Sequence, residues 1–208
     1  MAFGSFKTLE DVLRTYQVQT RAVEFIRPLP IAVDERFRER LEFHRRTAPV
    51  SVSEEAICEF LIAPILQEAW RSFSDSLMIW SHVSLSADPA LQGFPDYFFA
   101  KRSPLGPVRD KPYVMFVEAK KDDFDAAWAQ CLAAMLAGQQ LNRPGEEVVF
   151  GGVSNGAVWY FAMLQENSLS QDPRAFTIDD LSTLFAALNY VLGKANEQAT
   201  SSGGLVCH

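Results

Sequence analysis

The chain has 208 residues, 48% of them hydrophobic and 22% charged, a balance that suits one globular domain with its own core. No apolar run approaches the roughly 20 residues of a membrane span, and the start lacks the basic-then-apolar pattern of a signal peptide, so a cytoplasmic protein without membrane contact is expected. A net charge of −7 argues against coating nucleic acid by bulk electrostatics, and three cysteines without CxxC spacing argue against a disulfide framework or a paired-cysteine metal site.

In chain order, residues 8–26 show helical spacing behind Thr8 as N-cap, with Glu10 and Asp11 in the first turn. The segment around 36–46 gathers Arg36, Arg38, Arg40, Arg45 and Arg46, either a solvated helix face or a source of local phosphate contacts. From Ser53, the positions Ile57, Cys58, Leu61, Ile62, Ile65 and Ala69 recur at helical spacing, and Pro64 is expected to kink or divide that helix. Residues 76–85, 96–101 and 113–120 are short, rich in aromatic and β-branched residues and separated by Pro- and Gly-bearing turns, which predicts three consecutive strands. Helical spacing returns over 122–142. Two strands over 147–165 follow, joined at Asn155-Gly156, and a closing helix over 177–198 is expected to be capped by Thr177. Cys58 and Cys131 lie in apolar helical patterns and read as buried thiols, and Cys207 lies in a loose tail. The order of elements predicts an α/β fold around a mixed central sheet flanked by helices.

Within the third strand, alternation puts Glu118 and Lys120 on one face and Val117 and Ala119 on the other. The strand is otherwise the apolar "YVMFV" of a buried central strand, so its two charges need partners. Lys120 could pair with Glu118 as an ordinary ion pair at the strand's end. Asp96 opens the preceding strand, and if the two strands form a hairpin across 103–112, Asp96 lies near Glu118, since neighbouring strands run about 4.8 Å apart. Two carboxylates and an ammonium then converge. Carboxylate oxygens suit Mg²⁺, and a lysine can orient an attacking water or stabilise a phosphate charge. His44 and His82 have no partner ligand at metal spacing in the sequence and read as structural or surface residues.

Pro95-Asp96 followed by Glu118-Ala119-Lys120 resembles the motif of the PD-(D/E)XK nuclease superfamily, with its restriction-endonuclease-like core of helix, three strands, helix and strands. The resemblance covers about residues 51–165. The stretch "SEEAICEFLIAPIL" is similar to the opening helix of the nuclease domain in type I restriction subunits and their relatives, and "FGGVSNGAVWYFAML" to the strand pair that follows there. The resemblance implies that Asp96, Glu118 and the Ala119 backbone carbonyl bind Mg²⁺ or Mn²⁺ and that Lys120 acts on the attacking water. It also implies that Glu54, with Glu55 as the second choice, holds a metal-bound water or supports the ligands. Helical spacing favours Glu54, which sits one turn before Ile57 and Cys58 on the core-facing stripe. Gln130 matches a position where many members carry a glutamine near the site; an ordinary helix-face amide is the alternative. Lys121 reads as a solvated flank.

The expected organisation is a helical extension over 1–50 packed on the core, a nuclease-like domain over 51–198 and a flexible tail over 199–208. The implied activity is metal-dependent hydrolysis of nucleic-acid phosphodiester bonds, in restriction, mobile-element or repair processes. The implied partner is nucleic acid, DNA foremost, with recognition shared by a partner protein or a homodimer because the chain is acidic. Two readings compete with it: a catalytically inactive nuclease-like module that binds nucleic acid or a partner protein, and an α/β domain whose charges form a structural ion pair.

Overall fold

The computed structural model describes residues 3–142 and 148–201. The expected start of a strand at residue 147, Cys207 and most of the 199–208 tail lie outside the described residues. The fold is α/β: a mixed central sheet with helices on both faces. At its centre runs β6 (Arg109–Ala119), buried from Pro112 to Ala119 because strands flank it on both edges and helices cover both faces. It pairs antiparallel with β5 (Tyr97–Arg102), which pairs with β2 (Leu77–Ser81) at one sheet edge. A two-stranded excursion, β3 (Leu85–Ser86) with β4 (Gln92–Gly93), interrupts the path from β2 to β5. The expected 103–112 connection is shorter than the sequence suggests, because β6 begins at Arg109 and a register shift near Ala100 absorbs the extra residues.

On its other edge β6 lies parallel to β7 (Val149–Ser154), reached through α5 (Phe124–Leu141). Asp123 caps α5, its Oδ1 accepting from the Ala126 N–H at 2.9 Å. The helix is rich in alanine and buried on most sides, between the sheet and α1 (Leu9–Tyr16). Just past its end, Asn142 accepts from Tyr113 N–H and donates to Tyr113 C=O at 2.7 and 2.8 Å, occupying both backbone groups of that residue. The hairpin from β7 to β8 (Val158–Gln165) turns at Asn155-Gly156 as expected, with Asn155 Oδ1 accepting from Ala157 and Val158. Gly156 has φ +85, and a Cβ there would sit 2.7 Å from Leu61 and 2.9 Å from Ile57. The turn therefore needs glycine twice, for its backbone and for the helix it packs against.

Three parts of the sequence reading are corrected. The helix over 8–26 ends early, at Gln17 in the left-handed conformation, and residues 19–22 form a strand, β1 (Gln19–Ala22), parallel to β9 (Ser168–Gln171). Its four residues are all exposed, so no alternation betrays it, and the short polar β9 was likewise not foreseen. The closing helix, α6 (Leu181–Ser201), is capped by Asp180, whose carboxylate takes the Thr183 N–H and hydroxyl, while Thr177 belongs to β10 (Phe176–Thr177) on β8. The sheet order is β1-β9-β8-β7-β6-β5-β2.

The helix from Ser53 forms with the expected residues buried, divided as α3 (Glu54–Ile57), a π-helical turn over Cys58–Ile62, and α4 (Ala63–Trp70). Pro64 explains part of the division: it has no N–H for the Phe60 carbonyl, and the His44 Nδ1–H donates to that carbonyl instead, at 3.0 Å. His44 comes from α2 (Glu35–Thr47), which buries only Phe37 and Leu41 and turns its arginines outward. With α6, these helices cover one sheet face; α1 and α5 cover the other.

Candidate functional site

The pairing of Tyr97 with Val117 across the β5–β6 hairpin carries Asp96 next to Glu118. Asp96 Oδ2 accepts the Ala119 N–H at 2.8 Å, so the acid locks onto the end of the central strand through its backbone. Glu118 is 3% exposed and meets the Asp96 carboxyl and backbone N–H. Burial first, then the charge and hydrogen bond of Asp96, push the Glu118 carboxyl well above the usual carboxylate range; Lys120 and the Asp96 N–H offset only part of that.

Lys120 sits one residue past the strand, its N–H donating to Ser154 C=O at 3.0 Å, which extends the β6–β7 pairing. Its ammonium does not pair with Glu118. It donates to Glu54 Oε2 at 2.8 Å, and Glu54 reaches it from the first turn of α3, below the Ser53 cap. Burial alone would lower the Lys120 ammonium, but the Glu54 bond and the charges of Glu54, Asp96 and Glu118 outweigh it and leave the pKa raised. Glu55 is exposed and held by its own backbone N–H and Ser53, which lower its pKa. Helical spacing thus selects the glutamate that the structure brings to the lysine. Lys121 is exposed, as expected.

Gln130 is not brought into this group by any hydrogen bond to Asp96, Glu118 or Lys120; its amide lies toward Gly4, in the turn that precedes α1. Two of the five arginines of α2 sit in ion pairs, Arg45 with Asp179 at 2.7 Å and with Glu42, and Arg46 with Glu42, while Arg38 bonds the Ser182 hydroxyl.

Sequence reasoning missed two neighbours of Asp96. Cys58, on the π turn, and His82, just after β2, place ligand-type atoms within 4.8 Å of one another and of an Asp96 oxygen. His82 adopts φ +53, its N–H donates to Asp96 C=O at 3.0 Å, and its Nε2 lies 3.5 Å from Asp96 Oδ1. Tyr97 packs its ring edge-on to that of His82, with centroids 5.8 Å apart. Burial, reinforced by Asp96, pushes the Cys58 thiol up to about 12, and burial likewise raises the Tyr97 hydroxyl. No sequence spacing links these residues; three separate elements carry them.

The arrangement offers oxygen ligands on a rigid central strand, one ammonium beside them, and a second carboxylate holding that ammonium. Such a set can bind a hard cation and counter the charge of a phosphate. Compared with the models of known protein families and with curated proteins, the chain matches none. No helix among the described residues is long and apolar enough to cross a membrane.

Proposed function

We propose that the chain is a metal-dependent nuclease-like hydrolase of nucleic-acid phosphodiester bonds, built on a restriction-endonuclease-like core. The observation that carries this reading is the buried Glu118 set beside Asp96 at the end of the central strand, two residues before Lys120. A purely structural acid of this burial ordinarily takes a cation or several N–H donors, whereas Glu118 has another acid as its main neighbour. That imbalance fits a cation better than it fits packing. Two carboxylates and a backbone carbonyl are the hard donor set that Mg²⁺ or Mn²⁺ takes while keeping several waters, and Asp96, Glu118 and the Ala119 carbonyl are the residues that would hold it. The ion supplies charge neutralisation at the phosphate and a more acidic water.

The chain's own groups do the rest. Glu54 fixes the Lys120 ammonium beside the carboxylates at 2.8 Å, where it can stabilise charge on a phosphate oxygen without reorganising. The Asp96–Ala119 bond keeps the hairpin ends from parting, which preserves the carboxyl pair. The acidic net charge leaves little general attraction for duplex, so substrate recognition is delegated to a partner protein, a second copy or a special DNA structure.

The test is incubation of the chain with supercoiled, linear and single-stranded DNA and with RNA, in Mg²⁺ or Mn²⁺. Lys120→Ala and Asp96→Asn are each expected to lower cleavage by on the order of 10²–10³-fold, the loss typical of one preorganised charge-stabilising group. Lys121→Ala should keep most of it. Equal loss from both lysine changes, or no cleavage under any of these conditions, would count against the reading. Thermal melts add a readout independent of turnover: excess Mn²⁺ should raise the wild-type Tm relative to EDTA and raise that of Asp96→Asn less.

A further inference from the structure

We propose that Cys58 Sγ, His82 Nε2 and Asp96 Oδ1 form a binding site for a borderline divalent transition metal, with zinc as the ion that suits this donor set. Thiolate, imidazole and carboxylate together are a mixed set that magnesium does not favour, so the site is chemically distinct from the Asp96–Glu118 pair, with which it shares one residue.

Geometry brings these atoms near ligand spacing. Tetrahedral zinc, with bonds of about 2.0–2.3 Å, sets its ligand atoms roughly 3.5 Å apart. The His82 Nε2 to Asp96 Oδ1 separation is 3.5 Å, long for a hydrogen bond and right for two ligands of one ion. The three atoms lie within 4.8 Å of one another, so side-chain movement of about 1 Å closes the set.

The supports around the ligands are those a metal site requires. The other ring nitrogen of His82, Nδ1, lies 2.8 Å from Ser81 Oγ, which fixes the ring and leaves Nε2 for the ion. Tyr97 packs edge-on against the His82 ring, and Asp96 keeps Oδ2 on the Ala119 N–H while Oδ1 faces the histidine. Two backbone irregularities coincide here: the π-helical turn that begins at Cys58 and the left-handed φ of +53 at His82. Both conformations are uncommon and both aim a ligand at Asp96. Binding needs no redox partner: as the Zn–S bond forms, the Cys58 S–H bond breaks and its proton goes to solvent. Three protein ligands leave a fourth position for water or another ligand, on the side where the His82 side chain is 53% exposed.

The experiment is Co²⁺ titration of the EDTA-stripped full chain, followed in the near ultraviolet for thiolate-to-cobalt charge transfer, with Zn²⁺ added back to bleach the signal. We expect one equivalent of Co²⁺ with a thiolate band, loss of the band in Cys58→Ser, and at least tenfold weaker binding in His82→Asn. Asparagine tolerates the left-handed backbone, so that variant should keep the wild-type melting temperature. Glu118→Gln should retain the band. No thiolate band in wild type overturns the proposal, as does a band that survives in Cys58→Ser or one lost in a folded Glu118→Gln. None of these readouts depends on cleavage, so the site stands or falls separately from the nuclease-like activity.

Discussion

Asp172 and Glu118 are two buried acids on the same sheet, each 3% exposed, and their surroundings treat them in opposite ways. Asp172, just past β9, is saturated with donors: Arg174 Nε at 2.8 Å, Arg174 Nη2 at 2.6 Å, and the backbone N–H groups of Arg174 and Ile26 at 3.1 Å each. Burial would raise its pKa, but Arg174 and these N–H groups reverse that and leave it below the usual range. The clamp ties the segment after β1 onto the sheet, since Arg174 also donates to Ile26 C=O at 2.8 Å. Glu118 is equally little exposed and has the contrary balance: burial first, then the charge of Asp96, hold its pKa up. Equal exposure therefore does not fix the direction of a buried acid's pKa; the donors or charges around it decide whether burial is offset.

The largest expected effect breaks the structural half of the comparison. Asp172→Ala removes the acceptor of the buried Ile26 N–H, of the part-buried Arg174 N–H and of the partly exposed Arg174 guanidinium, and should cost about 3 kcal/mol in urea denaturation, the upper range for leaving buried donors unsatisfied. Glu118→Gln should cost far less or stabilise. Equal costs at the two positions would mean that Glu118 is as satisfied as Asp172.

The two acids also predict opposite pH dependence. Asp172, depressed below its ordinary 3.8, contributes stability present above that value and lost as pH falls through the folded pKa. Glu118, raised above its ordinary 4.5, binds its proton more tightly when folded; its contribution is full below 4.5 and is lost as pH rises through the raised pKa. Across melts from acid to neutral pH, the deficit of Asp172→Asn should shrink toward acid. Glu118→Gln should gain on wild type as pH rises, by on the order of 1 kcal/mol or roughly 2–4 °C in a chain of this size. A Glu118→Gln difference that stays flat with pH would contradict the raised pKa.

Much of the candidate site was legible because it rests on short-range rules. Alternation placed Glu118, hairpin pairing brought Asp96 to it, and helical spacing chose Glu54 over Glu55. The Lys120 partner was only half legible, since strand alternation pointed to Glu118 while the structure supplies Glu54 from a helix 66 residues away. Cys58 and His82 were not legible as neighbours: one is brought by a helix, the other by the end of an edge strand, and their meeting depends on a π turn and a left-handed residue that no periodicity encodes. The missed strands β1 and β9 are short and polar and pair mainly through backbone, which leaves side chains no pattern to show. The Thr177 cap failed for a local reason, because Asp180 lies nearer the true helix start and its carboxylate takes both Thr183 groups.

The smallest expected effect sharpens the functional half. The Lys120–Glu54 contact is partly exposed, with side chains 19% and 43% accessible, so water can replace it and its worth should be no more than about 1 kcal/mol. If Lys120 were the counter-ion that makes Glu118 tolerable, as Arg174 is for Asp172, Lys120→Ala would resemble Asp172→Ala and destabilise severely. The contacts argue otherwise: the Lys120 ammonium donates to Glu54 and not to Glu118, so its removal takes no hydrogen bond from the buried acid. Urea denaturation of Lys120→Ala near neutral pH should therefore show a loss within about 1 kcal/mol of wild type, beside the collapse of cleavage expected for the same variant. A loss near 3 kcal/mol would instead make Lys120 the match of Arg174 and the cluster a structural ion pair.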